Sequence, residues 1–296
     1  DNDGILDMYE TNTGTFISAS DTGTDPYNTD TDSDNVPDGL EVIEETNPTD
    51  PNDYNPYSKD LIGYYSLDQT GKDLTGSGYD GVLQNATWGN DGSMATADNG
   101  SSSGLLIDNG GQRGFSGDSY AISGWVKIND ASTAPPSNFY YMLYETGNLI
   151  NAQESAIGIG YSEHGIQVQI SSLDDYPTGA QYFHGKYFET NNQTPDTLYE
   201  GKWHHIYVGI EGNSVSVYVD GNLLPNKAEG GSWNGTLPKV TNRNAAIGML
   251  GNGPDYTYFT PNNSNIRDVR IYDRSLTASE VSLLRHSEAP QFEVIR

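Results

Sequence analysis

The stretch Asp30-Thr-Asp-Ser-Asp-Asn-Val-Pro-Asp-Gly-Leu-Glu41 carries acidic residues at its first, third, fifth, ninth and twelfth positions. Calcium prefers about six to eight oxygen ligands, and a loop with this spacing can wrap such a set around one ion. The sixth position, where glycine is common, is Asn35, a residue that also tolerates a left-handed turn. The spacing therefore predicts a calcium loop with these ligands: Asp30, Asp32, Asp34, the Val36 carbonyl oxygen, Asp38 and Glu41.

The beginning of the chain repeats this pattern. Asp1, Asp3, Asp7 and Glu10 fall at positions 3, 5, 9 and 12 of the same loop, and Gly4 falls at position 6. The first two loop positions would precede Asp1, so we expect this sequence to begin inside a longer protein. The four acids predict a second, weaker calcium site that lacks its first ligand.

The two acidic loops are flanked by turn residues rather than by long helices. The run from Asp25 to Asp34 reads Asp-Pro-x-Asn-x-Asp-x-Asp-x-Asp, and Asn47-Pro-Thr-Asp-Pro51 follows soon after Glu41. This pattern resembles the thrombospondin type 3 repeats of bacterial surface and secreted proteins, over roughly the first 53 residues. The resemblance implies a metal-stiffened rod with almost no hydrophobic core, and it adds Asp25 to the candidate ligands.

The charge of the chain is distributed unevenly. The formal net charge is −27, and residues 1–53 contain 15 acids and no Lys or Arg. Such a segment is expected to be disordered unless a metal neutralises it. The charge also argues against nucleic acid as a partner, and the sequence has no apolar run long enough for membrane insertion. The chain has no cysteine. Calcium loops without cysteines are more typical of an exported bacterial protein than of an animal one, so we expect a protein that is secreted or at the cell surface.

The remainder of the chain alternates short β-like runs with Gly, Asn, Asp and Ser clusters. The clearest strands are the apolar, aromatic run Leu61–Leu67 and the runs Tyr120–Ile128, Gly165–Ile170 and Ser214–Val219, which have a period of two. Asp220-Gly221, which follows the last of these runs, is a hairpin turn signal. One helix is predicted, Leu276–Arg285, with a capping box at Thr277 and Glu280. The sequence thus predicts an all-β sandwich or jelly roll at 55–296, preceded by a loop-rich calcium-binding segment at 1–54.

Three stretches of the second domain carry a family resemblance. They are Tyr64–Gly78, Gly201-Lys-Trp-His-His-Ile206 with Val217-Tyr-Val-Asp-Gly221, and Ile266–Leu276. Together they resemble the laminin-G-like or pentraxin-like branch of the concanavalin A-like jelly rolls. The resemblance implies two antiparallel sheets, frequent glycan or protein binding, and often one structural calcium ion. We place that ion, as an expectation, at Asp68, Asp73 and Asp268, where the first and last strands would meet.

Aromatic residues concentrate in the long loops, next to Asn and Asp. Sugars stack on aromatic rings, and tyrosine hydroxyls can orient them. A rigid sandwich that carries such loops is a typical scaffold for a binding site. We therefore predict ligand binding, chiefly by loops 174–187 and 253–260, at these residues: Tyr140, Asp174, Asp175, Tyr176, Tyr182, Tyr187, Trp233, Asp255, Tyr256 and Tyr258.

The sequence favours a binding module over an enzyme. Jelly-roll glucanases carry Glu-x-Asp-x-x-Glu on one strand, and no Glu-x-Asp occurs in this chain. The runs Tyr182–Tyr187 and Gln167-Val-Gln169 faintly resemble jelly-roll alginate lyases, but Gln169 stands where their histidine would be. The leading hypothesis is a carbohydrate-binding or adhesive module on a calcium-stiffened stalk, with a glycan or a cell-surface protein as partner. The alternative is a self-assembling structural subunit of a surface fibre or layer.

Overall fold

The structure is a computed structural model that describes residues 3–97, 103–107, 119–129, 140–146, 156–162, 165–171, 186–190, 201–230, 244–249 and 263–287. Sixteen strands and two helices are assigned in these ranges. The helices are α1 (Asp38–Ile43) and α2 (Ala278–Ser287), and a single 3-10 turn covers Pro56–Ser58. The strands, in chain order, are β1 Leu61–Tyr65, β2 Gly81–Gln84, β3 Thr87–Trp88, β4 Met94–Ala95, β5 Gly104–Ile107, β6 Ser119–Ile128, β7 Tyr140–Thr146, β8 Ala156–Ser162, β9 Gly165–Ser171, β10 Lys186–Glu189, β11 Trp203–Glu211, β12 Ser214–Val219, β13 Asn222–Leu224, β14 Lys227–Gly230, β15 Ala245–Ile247 and β16 Ser264–Tyr272.

The strands form two antiparallel sheets of eight strands each. Sheet I has the order β13-β12-β11-β6-β16-β4-β3. β1 also belongs to this sheet: it pairs with the last residues of β16, whereas β4 pairs with the first ones. Sheet II has the order β14-β10-β9-β8-β7-β15-β5-β2. The first strand thus meets the last, as expected for a sandwich closed in this way, and the predicted all-β jelly roll is confirmed.

The main core lies between the two sheets. Alternate residues of the central strands point inward, because successive side chains of a strand face opposite sides. Ile206, Val208 and Ile210 of β11 belong to this core, and so do Ile166, Val168 and Ile170 of β9. The hydrophobic alternation seen in the sequence therefore corresponds to the face of each sheet that lines this core.

Local turn chemistry agrees with the sequence at two places. Asp220 and Gly221 both have positive φ, 51° and 78°, and join β12 to β13 as a two-residue hairpin. At α2, the backbone N–H of Thr277 donates to Glu280 Oε2, and the Glu280 N–H donates to Thr277 Oγ1. This capping box is confirmed, and it makes the helix begin at Ala278, two residues later than the sequence suggested, because Thr277 itself is the cap.

A second hydrophobic cluster covers the outer face of sheet I. Tyr207 and Tyr272 contribute from the sheet, Leu276, Val281 and Leu284 from α2 and the turn before it, and Val36 and Leu40 from the acidic segment. We call this group the outer cluster. Val36 and Leu40 are fully buried, so the acidic segment is packed onto the sheet by apolar side chains. The division at residue 54 remains a prediction.

A buried ion pair joins the acidic segment to the sheet. Arg270 Nη1 of β16 donates to Glu44 Oε1, just beyond α1, at 2.9 Å, and both side chains are less than a tenth exposed. Asn55 and Ser58 donate to the other oxygen of Glu44, at 2.8 and 2.6 Å. The Arg270 guanidinium also lies 4.2 Å from the Tyr64 ring centroid. Each charge of this pair therefore has a further favourable contact: hydrogen bonds stabilise the carboxylate, and an aromatic ring lies beside the guanidinium.

Replacing Arg270 with Met is expected to lower the free energy of unfolding by about 3–5 kcal/mol, because it leaves the buried Glu44 carboxylate without its counter-ion. Denaturant unfolding in excess calcium measures this change. The double variant Glu44→Met/Arg270→Met should recover most of the loss. As a control, Lys127→Met removes the more exposed pair with Asp91 and should cost about 1 kcal/mol or less. Equal losses in Arg270→Met and Lys127→Met would contradict this account of the pair.

Candidate functional site

The loop predicted to bind calcium folds around its own carboxylates. Asp30 Oδ1 accepts hydrogen bonds from the backbone N–H groups of Ser33 and Asp34, and Asp30 Oδ2 accepts one from Asn35. Asn35 has a φ of 72°, the left-handed conformation that an asparagine at the sixth position permits. The turn that follows leads into α1, which supplies Glu41. The loop therefore places acidic side chains from both of its ends around one region.

Asp30, Asp32 and Asp34 each contribute a carboxylate oxygen to a group in which all the atoms lie within 4.8 Å of one another. We call this group the loop site. Several buried oxygens here accept no hydrogen bond: Asp32 Oδ2, Asp34 Oδ2 and both carboxylate oxygens of Glu41. Buried polar atoms are normally paired. A cluster of unpartnered anionic oxygens is the surrounding that a bound cation would complete.

The pKa values of these groups show that burial and mutual repulsion disfavour their ionised forms. Burial, followed by repulsion from Asp32 and Asp34, raises the pKa of Glu41 to about 9. Burial and the neighbouring Asp34 raise the pKa of Asp32 to about 6. Without a cation, ionising these groups opposes the fold; with one, their negative charge would be neutralised. The donors are oxygens alone, which suits a hard cation such as calcium, so the loop site can hold a metal ion.

The remaining predicted ligands of the acidic segment divide differently. Asp38, which the spacing assigns to the loop site, lies instead in a second group with Asp3 and Glu10. Asp7 is exposed, and neither it nor Asp25 belongs to either group. Asp25 Oδ1 accepts a hydrogen bond from the Tyr27 N–H and so stabilises a turn. Asp1 lies outside the described residues.

Two of the three aspartates predicted to hold calcium in the jelly roll have other partners in the structure. Asp73 Oδ1 accepts hydrogen bonds from Tyr64 N–H and from Thr75, and Ser77 donates to its other oxygen. Asp268 pairs with Arg267 and accepts a hydrogen bond from the Tyr64 hydroxyl. Neither these two nor Asp68 falls in an acidic group that can hold an ion, among the residues that the structure describes. A calcium ion at Asp68, Asp73 and Asp268 remains a prediction.

Most of the predicted ligand-binding residues cannot be placed. Tyr140 and Tyr187 lie on described strands of sheet II, and they pair with different kinds of cross-strand partner. Tyr187 pairs with Gln169, whereas Tyr140 pairs with Tyr161, which in turn pairs with the core residue Ile166. Outside the described residues lie Asp174, Asp175, Tyr176, Tyr182, Trp233, Asp255, Tyr256 and Tyr258.

The position of Asp38 and the Glu44–Arg270 pair were not recognised from the sequence. Both depend on which distant segments meet, and a spacing pattern carries no such information. One signal for the pair was available: Arg270 stands between Val269 and Ile271, in the middle of an apolar strand. A charged residue at such a position usually has a buried partner.

Comparison with known proteins fixes the family. A laminin-G-type sequence model, described as the concanavalin A-like lectin/glucanases superfamily, matches residues 98–282, well over half of the chain. The chain belongs to this superfamily. The match begins after the acidic segment and β1, so it concerns the jelly roll alone. A search of curated protein sequences gave no match.

Solved structures of several other proteins share the fold. The binding domain of Paraclostridial Mosquitocidal Protein 1 aligns with a TM-score of 0.55 and 15% identity, over 76% of this chain and 51% of that one. The botulinum neurotoxin serotype D binding domain gives 0.52 and 13%, over 77% and 51%. Domain 4 of AbnA, a GH43 extracellular arabinanase from Geobacillus stearothermophilus solved with arabinotriose, gives 0.50 and 21%, over 76% and 98%. This superfamily member spans about half the length of the two toxin chains, and at these identities the likeness concerns the fold alone.

No helix among the described residues of this superfamily member is long and apolar enough to cross a membrane.

Replacing Glu41 with Gln is expected to act in opposite directions with and without calcium. In chelator near neutral pH the variant should be more stable than the parent, because the parent must take up a proton at Glu41, whose pKa is raised to about 9, whereas glutamine is already neutral. The affinity of the variant for calcium should be lower than that of the parent by at least about tenfold, since the number of charged ligands sets the calcium affinity of such loops. Thermal unfolding across a calcium titration measures both effects. The matched control is Glu45→Gln at an exposed neighbouring position, which should change neither; a Glu41→Gln variant that behaves like this control contradicts the loop site.

Proposed function

We propose that this protein is a non-catalytic, extracellular binding module in which a calcium-binding segment supports a carbohydrate-binding jelly roll. The observation that carries the proposal is the set of buried, unpartnered carboxylate oxygens of Asp32, Asp34 and Glu41. Millimolar calcium outside cells would fill a site of this kind, whereas cytosolic calcium is scarce. Thrombospondin type 3-like repeats remain the interpretation that best explains the spacing.

Calcium at the loop site would act on the jelly roll through α1. Glu41 faces the loop site, Leu40 packs in the outer cluster, and Glu44 follows directly after the helix. An ion that neutralises Glu41 therefore stabilises the helix in the position that also buries Leu40 and pairs Glu44 with Arg270. The segment becomes a stiff attachment to the sandwich rather than a loose tail.

The outer face of sheet II supports the carbohydrate-binding part of the proposal. Along one register row, Tyr187 pairs with Gln169, Gln169 with Gly158, and Gly158 with Glu145. Gln169 alternates with the core residues Val168 and Ile170 and is partly exposed. Tyrosine, glutamine and glutamate, the residue types of this register row, are ones that can hold a sugar by stacking and by hydrogen bonds. The aromatic loops predicted from the sequence would extend this surface.

Relatives by fold are consistent with this assignment. The solved neighbours include the binding domains of a botulinum neurotoxin and of a mosquitocidal protein, and an arabinanase domain in complex with arabinotriose. For this chain we propose only the general ligand class, a polysaccharide or a cell-surface glycan. The absence of Glu-x-Asp in the sequence favours binding without hydrolysis.

Gln169→Ala and Tyr187→Ala should each weaken glycan binding at least about tenfold, the scale of one lost hydrogen bond or stacked ring, with little change in melting temperature. A glycan array identifies the sugar, and titration calorimetry on the best hit measures the affinity. Tyr218→Ala, on the opposite sheet in contact with Tyr207, is the control for tyrosine loss and should bind normally. Absence of any glycan ligand, together with concentration-dependent assembly in solution, would overturn the carbohydrate proposal and favour a structural subunit.

A further inference from the structure

Helix α1 contributes carboxylates to two different places. Glu41 faces the loop site, whereas Asp38, one turn earlier, meets Asp3 and Glu10 from the beginning of the chain. One carboxylate oxygen from each of these three residues lies within 4.8 Å of the others. The sequence spacing would place Asp38 in the loop site and Asp3 with Glu10 in a separate loop. In the structure, Asp38 is instead grouped with Asp3 and Glu10.

The three carboxylates are buried, and one oxygen of Glu10 accepts no hydrogen bond. Asp3 and Asp38 are fully buried, and Glu10 is 5% exposed. Glu10 Oε1 accepts a hydrogen bond from Thr24 at 3.1 Å, but the buried Glu10 Oε2 accepts none. Burial raises the pKa of all three groups. A buried, unpartnered anionic oxygen beside two further carboxylates is the condition that a divalent cation would relieve.

The approach of the chain start to α1 depends on a glycine. The Gly39 N–H donates to Asp3 Oδ2 at 3.0 Å. A Cβ atom at position 39 would lie only 2.2 Å from the Asp3 carbonyl oxygen, so any side chain there would force the two segments apart. Thr31 holds Asp38 from the other side, with its N–H and hydroxyl donating at 2.8 and 2.7 Å. Asp3 is thus held by a contact with α1, and Asp38 by contacts with Thr31 of the calcium loop.

We infer that Asp3, Glu10 and Asp38 form a second divalent-cation site, separate from the loop site, that ties the chain start to helix α1. Its donors are carboxylate oxygens, so it would take calcium, with water and backbone carbonyl oxygens completing the shell. This site extends the calcium-binding function proposed above but does not require the loop site to be filled. Because Asp38 and Glu41 lie on one short helix, filling either site helps to order the other.

Calcium titration by calorimetry on the chelator-stripped protein tests this inference. The parent should bind two ions. Glu10→Gln, which preserves side-chain shape, and Gly39→Ala, which removes no carboxylate, should each abolish one binding event and keep the other. Asp38→Asn should behave in the same way. Asp32→Asn should abolish the other event. Circular dichroism in excess calcium verifies that each variant is folded.

Asp7→Asn is the control that separates structure from spacing. Spacing makes Asp7 a ligand, whereas the structure leaves it exposed and outside the group, so this variant should still bind two ions. The inference is overturned if Glu10→Gln keeps both ions, or if Asp38→Asn loses the same event as Asp32→Asn. A parent that binds a single ion, lost in Asp32→Asn, would overturn the second site and leave the loop site standing. A parent that binds no calcium would refute both.

Discussion

Repulsion among buried carboxylates is the constraint on which the first part of this structure depends. Asp30, Asp32 and Asp34 meet at the loop site, which also repels Glu41, and Asp3, Glu10 and Asp38 form a second group, with no Lys or Arg in residues 1–53 to balance them. Charges so close repel strongly in a low-dielectric surrounding. The segment can nevertheless pack against sheet I, because a cation in each group would convert repulsion into attraction.

Helix α1 transmits this balance to the jelly roll. Its six residues are too few for a stable helix in isolation, so its order has to come from its contacts. These contacts are of three kinds: carboxylates toward the two acidic groups, Leu40 in the outer cluster, and the Glu44–Arg270 pair just beyond its end. Without the side chain that α1 adds to the outer cluster, tyrosines of sheet I would be less well covered. Calcium binding at these groups would therefore be energetically linked to burial of the sheet face.

Local features of the fold were predictable from the sequence because they depend on neighbouring residues. The period of two located the strands, Asp220-Gly221 located a hairpin, and Thr277 with Glu280 located the start of α2. The left-handed Asn35 also followed from the loop spacing. Each of these is determined within a few residues, where backbone geometry and capping dominate.

Long-range features were not predictable in the same way. Asp38 has the spacing of a loop ligand, yet its carboxylate meets Asp3, 35 positions earlier in the chain. Glu44 and Arg270 are separated by 226 residues. Spacing specifies which residues can act as ligands, but tertiary packing decides which of them lie close enough to share an ion.

The central claim is that calcium in the acidic segment stabilises the outer face of sheet I through α1. Hydrogen–deuterium exchange, compared in calcium and in chelator, tests it most directly. The account predicts that chelation accelerates exchange in α1 and also in β1, the Arg270 end of β16 and α2, while β8 and β9 of sheet II stay protected. Faster exchange confined to residues 3–58, with sheet I unchanged, would contradict the account.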